Sequence, residues 1–155
     1  VCERCLHDLT QVDTEARPKN ALHRSIIEGP VSRMDLPAHA VCKPADQVAD
    51  VVELMKSSRR GCVVVEENNR PVGIFTERDL MMKVIGKDVD QTRVPIKTLM
   101  TSPVESITSS DSIAFVLNKM SIGGFRHIPI ADAQGRVTAV VSVRNILQYL
   151  ARQIR

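Results

Sequence analysis

Aromatic residues are nearly missing from this chain: no Trp, one Tyr and three Phe among 155 residues, 3% in all. With so little ring surface the core has to be aliphatic, and there is almost nothing on which nucleic-acid bases would stack. One-sided charge is missing as well. Twenty-one Lys and Arg stand against 18 Asp and Glu, a net +3 with no basic run, which argues against a nucleic-acid binder. No apolar run nears the roughly 18 residues of a membrane helix, and "VCERCLHDLT" has neither the basic start nor the apolar stretch of a signal peptide. A cytoplasmic protein without membrane contact is expected. The chain opens at Val1 rather than Met, as a piece of a longer protein would. Four cysteines in a chain of this length make no disulfide scaffold. There is no P-loop, no Ser/His/Asp arrangement and no motif with paired carboxylates, so no enzyme is expected.

What is present is ordinary globular composition, 43% hydrophobic and 25% charged, organised by a repeat. "RPVGIFTERDL" at 70–80 lies over "RVTAVVSVRNI" at 136–146, so that Thr76 falls on Ser142 and Asp79 on Asn145, each 66 residues on. The same shift sets Arg60 on Arg126, Met34 on Met100, and "CVVVE" at 62–66 on "IPIAD" at 128–132. With a one-residue gap, "ADQVADVVELM" at 45–55 aligns with "SDSIAFVLNKM" at 110–120.

Each unit carries the same order of elements. Short extended pieces at 39–42 and 104–108 precede Asp46 and Asp111, which the pattern marks as helix N-caps. Val48, Ala49, Val52 and Met55 then share one helical face, as do Ile113, Ala114, Leu117 and Met120. Two strands follow in each unit, 62–66 and 71–75 around "ENNR", then 128–131 and 137–141 around "DAQGR". A second helix starts near 77 and near 143. The order β-α-β-β-α, run twice, predicts an α+β fold with sheets covered on one side by helices. The expected segments are 1–30 as an amino-terminal piece, 31–90 as the first domain and 91–155 as the second.

Thr76 and Asp79 sit where a strand hands over to a helix. They fit a capping box, Thr at the N-cap and Asp at N3, with Phe75 and Leu80 as the hydrophobic staple. Ser142, Asn145, Val141 and Ile146 repeat the arrangement. A helix start also favours phosphate, and a neutral Asn gains little from the helix dipole, whereas it serves a ribose nearly as well as Asp. Capping and ligand binding both remain open on the residues alone.

Here the residues resemble a family. "GIFTERD" and "AVVSVRN" are similar to the Ser/Thr-x-x-Asp/Asn nucleotide signature of CBS domains, which occur in pairs called Bateman modules, and "FRHIPI" at 125–130 is similar to the strand before it. The resemblance covers about residues 31–152. It implies two CBS domains related by a pseudo-twofold, forming a non-catalytic regulatory module for an adenosine ligand such as AMP, ADP or ATP. It implies Asp79 and Asn145 at ribose, Thr76 and Ser142 at phosphate, and apolar strand residues around adenine. Arg126 and His127 are candidate further phosphate contacts, against a surface Arg and a part-buried His. Arg60 joins them by register alone. Glu77, Arg78 and Arg144 read as a solvated helix face, and His39 as a strand-end residue. Gly61 against His127, and "TAVVS" against "GIFTE", make the two clefts unequal. A homodimer, acting on a regulated partner protein that the sequence does not identify, is expected. The alternative is an interaction scaffold with empty clefts, attached to a nucleic-acid-contacting zinc ribbon.

That ribbon is suggested by Cys2-x2-Cys5, half of a tetrahedral zinc site that needs four ligands. His7 and His23 are nearby, but no second Cys pair is. Cys42 and Cys62 read as buried structural thiols. The segment resembles the distal knuckle of a zinc ribbon whose first knuckle would precede Val1, so no bound metal is expected here. A polar linker follows, and then a short helix ending at Gly29 and Pro30, with Leu22 and Ile26 on one face.

Overall fold

The computed structural model describes residues 20–154. Cys2, Cys5, His7 and most of the polar linker, and with them the zinc-ribbon resemblance, lie outside the described residues. Asn20 caps the first helix by accepting from the His23 N–H at 2.8 Å, and α1 runs Ala21–Glu28 to its end at Gly29.

The first unit contains β1 (Ala40–Cys42), α2 (Val48–Ser58), β2 (Cys62–Glu67), β3 (Arg70–Thr76) and α3 (Glu77–Asp79). β1 pairs parallel to β2, and β2 antiparallel to β3. The β2–β3 turn is made by Asn68 and Asn69, with φ of 53° and 60°. Both lie in the left-handed region that two-residue hairpin turns require and that Asn tolerates. The second unit repeats the order with α4 (Ile113–Gly123), β4 (His127–Ala131), β5 (Val137–Ser142) and α5 (Val143–Gln153).

Three expectations need correction. The N-caps are Gln47 and Ser112, one residue beyond the predicted acids. Asp46 and Asp111 are turned backwards instead, accepting from the N–H groups of Lys43 and Thr108, each at 2.8 Å. Because the helices start later, their buried stripes are Val48, Val51, Met55 and Ile113, Val116, Met120, while Ala49, Val52, Ala114 and Leu117 are only half-buried. The piece at 104–108 forms no strand. Ile107 alone bridges to β4, donating to the Pro129 carbonyl at 3.0 Å and accepting from the Ala131 N–H at 2.8 Å. Finally, the helix opening at Glu77 does not continue as a regular α-helix. It widens into a π turn over Leu80–Val84 and tightens into a 3-10 turn over Ile85–Lys87, whereas α5 is regular for 11 residues.

Helices do not supply the only cover for the sheets. β2 is buried from Cys62 through Val65 because both its faces are occupied. Val63 and Val65 face the core with α2, while Cys62 and Val64 join Ile74 and Val140 in a layer between the two units.

The two cores are exchanged at their edges. Val31 and Met34 pack into the second unit's core with Ile113, Ile128 and Ile146. Their backbone follows: Val31 donates to the Asp111 carbonyl at 2.9 Å, and Ile113 donates to that of Gly29 at 2.9 Å. Reciprocally, Ile96 packs in the first core with Val48, Val63 and Phe75. Val48 donates to the Val94 carbonyl at 2.9 Å, and Ile96 to that of Asp46 at 2.8 Å. Each unit's leading segment thus serves the other unit. No helix among the described residues is long and apolar enough to cross a membrane.

Candidate functional site

Both strand-to-helix junctions form full capping boxes. The Asp79 N–H donates to Thr76 Oγ1 at 3.3 Å, and Asp79 Oδ2 accepts from the Thr76 N–H at 3.0 Å. At the second junction the Asn145 N–H donates to Ser142 Oγ at 3.1 Å, and Asn145 Oδ1 accepts from the Ser142 N–H at 3.0 Å and from Ser142 Oγ at 2.7 Å. The shared geometry follows from the shared Ser/Thr-x-x-Asp/Asn spacing.

Beyond the boxes the junctions part company. Asp79 is 8% exposed and its second oxygen is also used: Oδ1 accepts from Thr101 Oγ1 at 3.1 Å and pairs with Lys83 Nζ at 2.8 Å. Lys83 is held in turn by the Leu99 carbonyl at 2.9 Å. The segment carrying Thr101 is zipped to the free edge of β3, Ile74 and Thr101 exchanging backbone hydrogen bonds of 3.0 and 2.8 Å. The first junction is closed by the protein itself.

In the second unit the counterpart of Ile74 is Val140 and the counterpart of Thr101 is Asp35. No such pairing joins them among the described residues. Pro129, opposite Val140, turns its carbonyl away to Ile107, so alternation in the antiparallel pair leaves the Val140 N–H and C=O facing outward. A cleft of about 770 Å³ occupies the gap, within the ~300–1,000 Å³ of small-molecule sites. Val140, Leu147, Pro37 and Ala38 give it apolar surface, and Ser142 and Asn145 stand at its helix end. Arg59, Arg60, Arg126 and Arg144 bring positive charge, against Asp35 and Glu77.

The helix start itself offers few free donors, since the Val143 N–H is taken by the Arg126 carbonyl at 3.1 Å and the Asn145 N–H by Ser142. Positive potential therefore comes mainly from the arginines. His127 also lines the cleft, and burial holds its imidazole below the usual histidine value, Arg126 pushing the same way against Glu77. Gly61 lies between these groups: a Cβ there would stand 3.2 Å from His127 Nε2 and 3.3 Å from Glu77 Oε2. Burial, reinforced by Glu77 and opposed by Arg60, raises the Cys62 thiol to about 12. Cys42 is likewise raised to about 12, by burial and then by Asp46.

Of the seven residues singled out by sequence, Arg60, Arg126, His127, Ser142 and Asn145 meet around this cleft, while Thr76 and Asp79 do not line it. Glu77 and Arg144, exposed as a solvated helix face would be, and His39, just ahead of β1, also line it. Arg78 instead donates to the Gly124 carbonyl at 3.2 Å. Asp35 and Arg59 were missed, although Met34–Met100 register and the neighbouring Arg60 pointed to their positions. Among the described residues no group of three or more His, Cys, Asp or Glu is arranged to hold a metal ion.

Comparison with known proteins adds a second line. The profile of the CBS domain matches residues 31–86 and again 96–152. A 17.7 kDa protein of Acidianus ambivalens is 34% identical over 111 residues, covering 71% of this chain and 66% of that protein. A CBS domain-containing protein of Arabidopsis thaliana is 33% identical over 103 residues, 66% of this chain but 19% of the plant protein. The chain thus spans just under two thirds of the first relative and about a fifth of the second. Among solved structures, a CBS domain protein from Pyrobaculum aerophilum complexed with AMP superposes with a TM-score of 0.69 at 21% identity, covering 79% of this chain and 98% of that one. A hexameric CBS-CP12 protein from bloom-forming cyanobacteria gives 0.71 at 21% identity, covering 77% and 70%.

Proposed function

The chain belongs to the CBS-domain family as a tandem pair, and on that premise we propose that it senses an adenosine phosphate (AMP, ADP or ATP) in the cleft at Ser142 and Asn145. The pair is a regulatory module rather than an enzyme. The observation that carries the ligand reading is the cleft's division into an open apolar strand edge at Val140 and an arginine-rich wall. An outward N–H and C=O on Val140 suit the hydrogen-bonding edge of a purine, with Leu147 and Ala38 against its faces. Arg60 and Arg126, with Arg59 and Arg144, suit a phosphate. The AMP bound by the Pyrobaculum aerophilum relative is consistent with this reading. Thr76 and Asp79 belong to the same signature, but a ligand there would first have to displace Lys83 and Thr101.

The module acts as a cytoplasmic homodimer in this proposal. Exposed Met81 and Leu147, at 65% and 62%, hold equivalent positions in the two units, and Met82, Ile85 and Ile154 are exposed as well. Such surface is suited to a second copy. Ligand occupancy then acts on a regulated partner.

The test is thermal unfolding at pH 7 with AMP, ADP, ATP and, as control, GMP. At a hundredfold excess over the dissociation constant a ligand adds about 2.7 kcal/mol, which for a chain of this size raises Tm by roughly 5–10 °C. No shift with any adenine nucleotide would leave the scaffold reading in its place.

A further inference from the structure

We infer that Asp35 is the acceptor for the ligand's sugar hydroxyls, a role transferred in this unit from the helix to the segment ahead of β1. The inference rests on the adenosine-phosphate reading and concerns how that ligand is told from its deoxy analogues.

The first junction supplies the template. There the acid, Asp79, sits on the helix and its neutral partner, Thr101, on the leading segment, in contact at 3.1 Å. In the second unit the two chemistries are exchanged. The helix carries the neutral Asn145, and the leading segment carries an acid, Asp35, at the position equivalent to Thr101. Both line the cleft.

Asn145 is poorly placed to do an acid's work. Its Oδ1 already accepts two hydrogen bonds from Ser142, at 3.0 and 2.7 Å. What it offers a ligand is the Nδ2 group, which only donates. Ser142 Oγ donates to Asn145 Oδ1 and accepts from the Asn145 N–H, which leaves it a single lone pair for a ligand. A vicinal diol has two hydroxyl protons to give and needs acceptors. Of the two carboxylates lining the cleft, Glu77 lies beside Gly61 and His127 on the arginine side. Asp35 is exposed and carries no ion pair among the described residues. It accepts from the sugar while Asn145 Nδ2 donates to the same hydroxyl oxygens. As a mere wall charge Asp35 would weaken phosphate binding.

That opposition of sign makes the test sharp. Asp35→Asn removes the charge at nearly constant shape, and because the side chain is exposed the unliganded Tm is expected to stay at the wild-type value. Calorimetry with AMP and with 2′,3′-dideoxy-AMP is then run on both proteins. We expect the wild type to prefer AMP about tenfold, and the variant to lose about tenfold for AMP while its affinity for the dideoxy analogue is unchanged or improved. Equal or tighter AMP binding by the variant, or equal losses for both ligands, would overturn the role of Asp35. A wild type that binds neither ligand overturns it too, together with the adenosine-phosphate reading; a wild type that binds both equally overturns the sugar contact alone.

Discussion

Met100 lies directly against the Cα of Gly73, so closely that a Cβ there would collide with the thioether. This contact lets the segment after Met100 reach the β3 edge, where Thr101 pairs with Ile74. At the equivalent place in β5 stands Ala139, in the core cluster that also holds Met34. One methyl group at this level goes with the open edge at Val140.

Gly73→Ala should therefore force Met100 outward and loosen the Ile74–Thr101 pair. Overpacking of this kind costs about 1–3 kcal/mol, readable as a lowered denaturant midpoint. The converse, Ala139→Gly, should let the second segment move in and weaken AMP binding several-fold without removing any ligand contact. Unchanged affinity in that variant would dismiss the methyl group as the cause of the asymmetry.

Occupancy should be one AMP per chain. Asn145→Ala is expected to abolish it and to cost the free protein about 1 kcal/mol, the scale of a lost cap. Lys83→Met leaves the Asp79 carboxylate with Thr101 and Thr76 alone and should destabilise the protein by about 2 kcal/mol, the scale of a charged hydrogen bond removed from a buried acceptor. Calorimetric stoichiometry near two in the wild type would contradict the closed first junction.

His127 predicts a pH dependence. Its folded value lies below the ordinary 6.5, so the unfolded chain takes up the proton first as pH falls. Stability of the free protein should be full above about 7 and decline as pH drops through 6.5 toward the folded value. A bound phosphate favours the imidazolium, so AMP affinity should rise over the same window. His127→Gln should flatten both profiles; curves identical to wild type would show that His127 titrates outside this range.

Arg59 ends α2 in the left-handed region at φ 53°, where α4 uses Gly124 at 68°. A side chain held there costs the fold about 1 kcal/mol. Arg59→Gly should stabilise the free protein by up to about that amount and weaken AMP binding. Stabilisation without loss of affinity would take Arg59 out of the phosphate wall.

Cys42 and Cys62, both raised to about 12, should remain unalkylated by iodoacetamide at pH 8 in the folded protein and react on unfolding. Peptide mapping distinguishes them from Cys2 and Cys5. Rapid labelling of Cys62 in the folded state would mean that the cleft wall opens.

The repeat, the hairpins and both capping boxes could be read from the sequence because they depend on local spacing: Thr76 to Asp79 and Ser142 to Asn145 sit within one helical turn. The N-caps at Gln47 and Ser112 were misread because an Asp one residue earlier satisfies the same pattern by bonding backwards. The closure of the first junction was not legible. It depends on Lys83 and Thr101 meeting Asp79, and Thr101 lies 22 residues from it in sequence. Register alone could have paired Asp35 with Thr101, but only the cleft shows that the two face different neighbours.

Val31 and Met34 in one core, and Ile96 in the other, mean that the unit of duplication is not the unit of folding. A cut between 86 and 96 would separate two recognisable repeats and yield two incomplete proteins, each missing the residues that seal its interior. Swapping a single repeat with that of a relative would mismatch both interiors at once. The two halves are bound to diverge as a couple, each constrained by a short stretch of chain that the repeat boundary assigns to its neighbour.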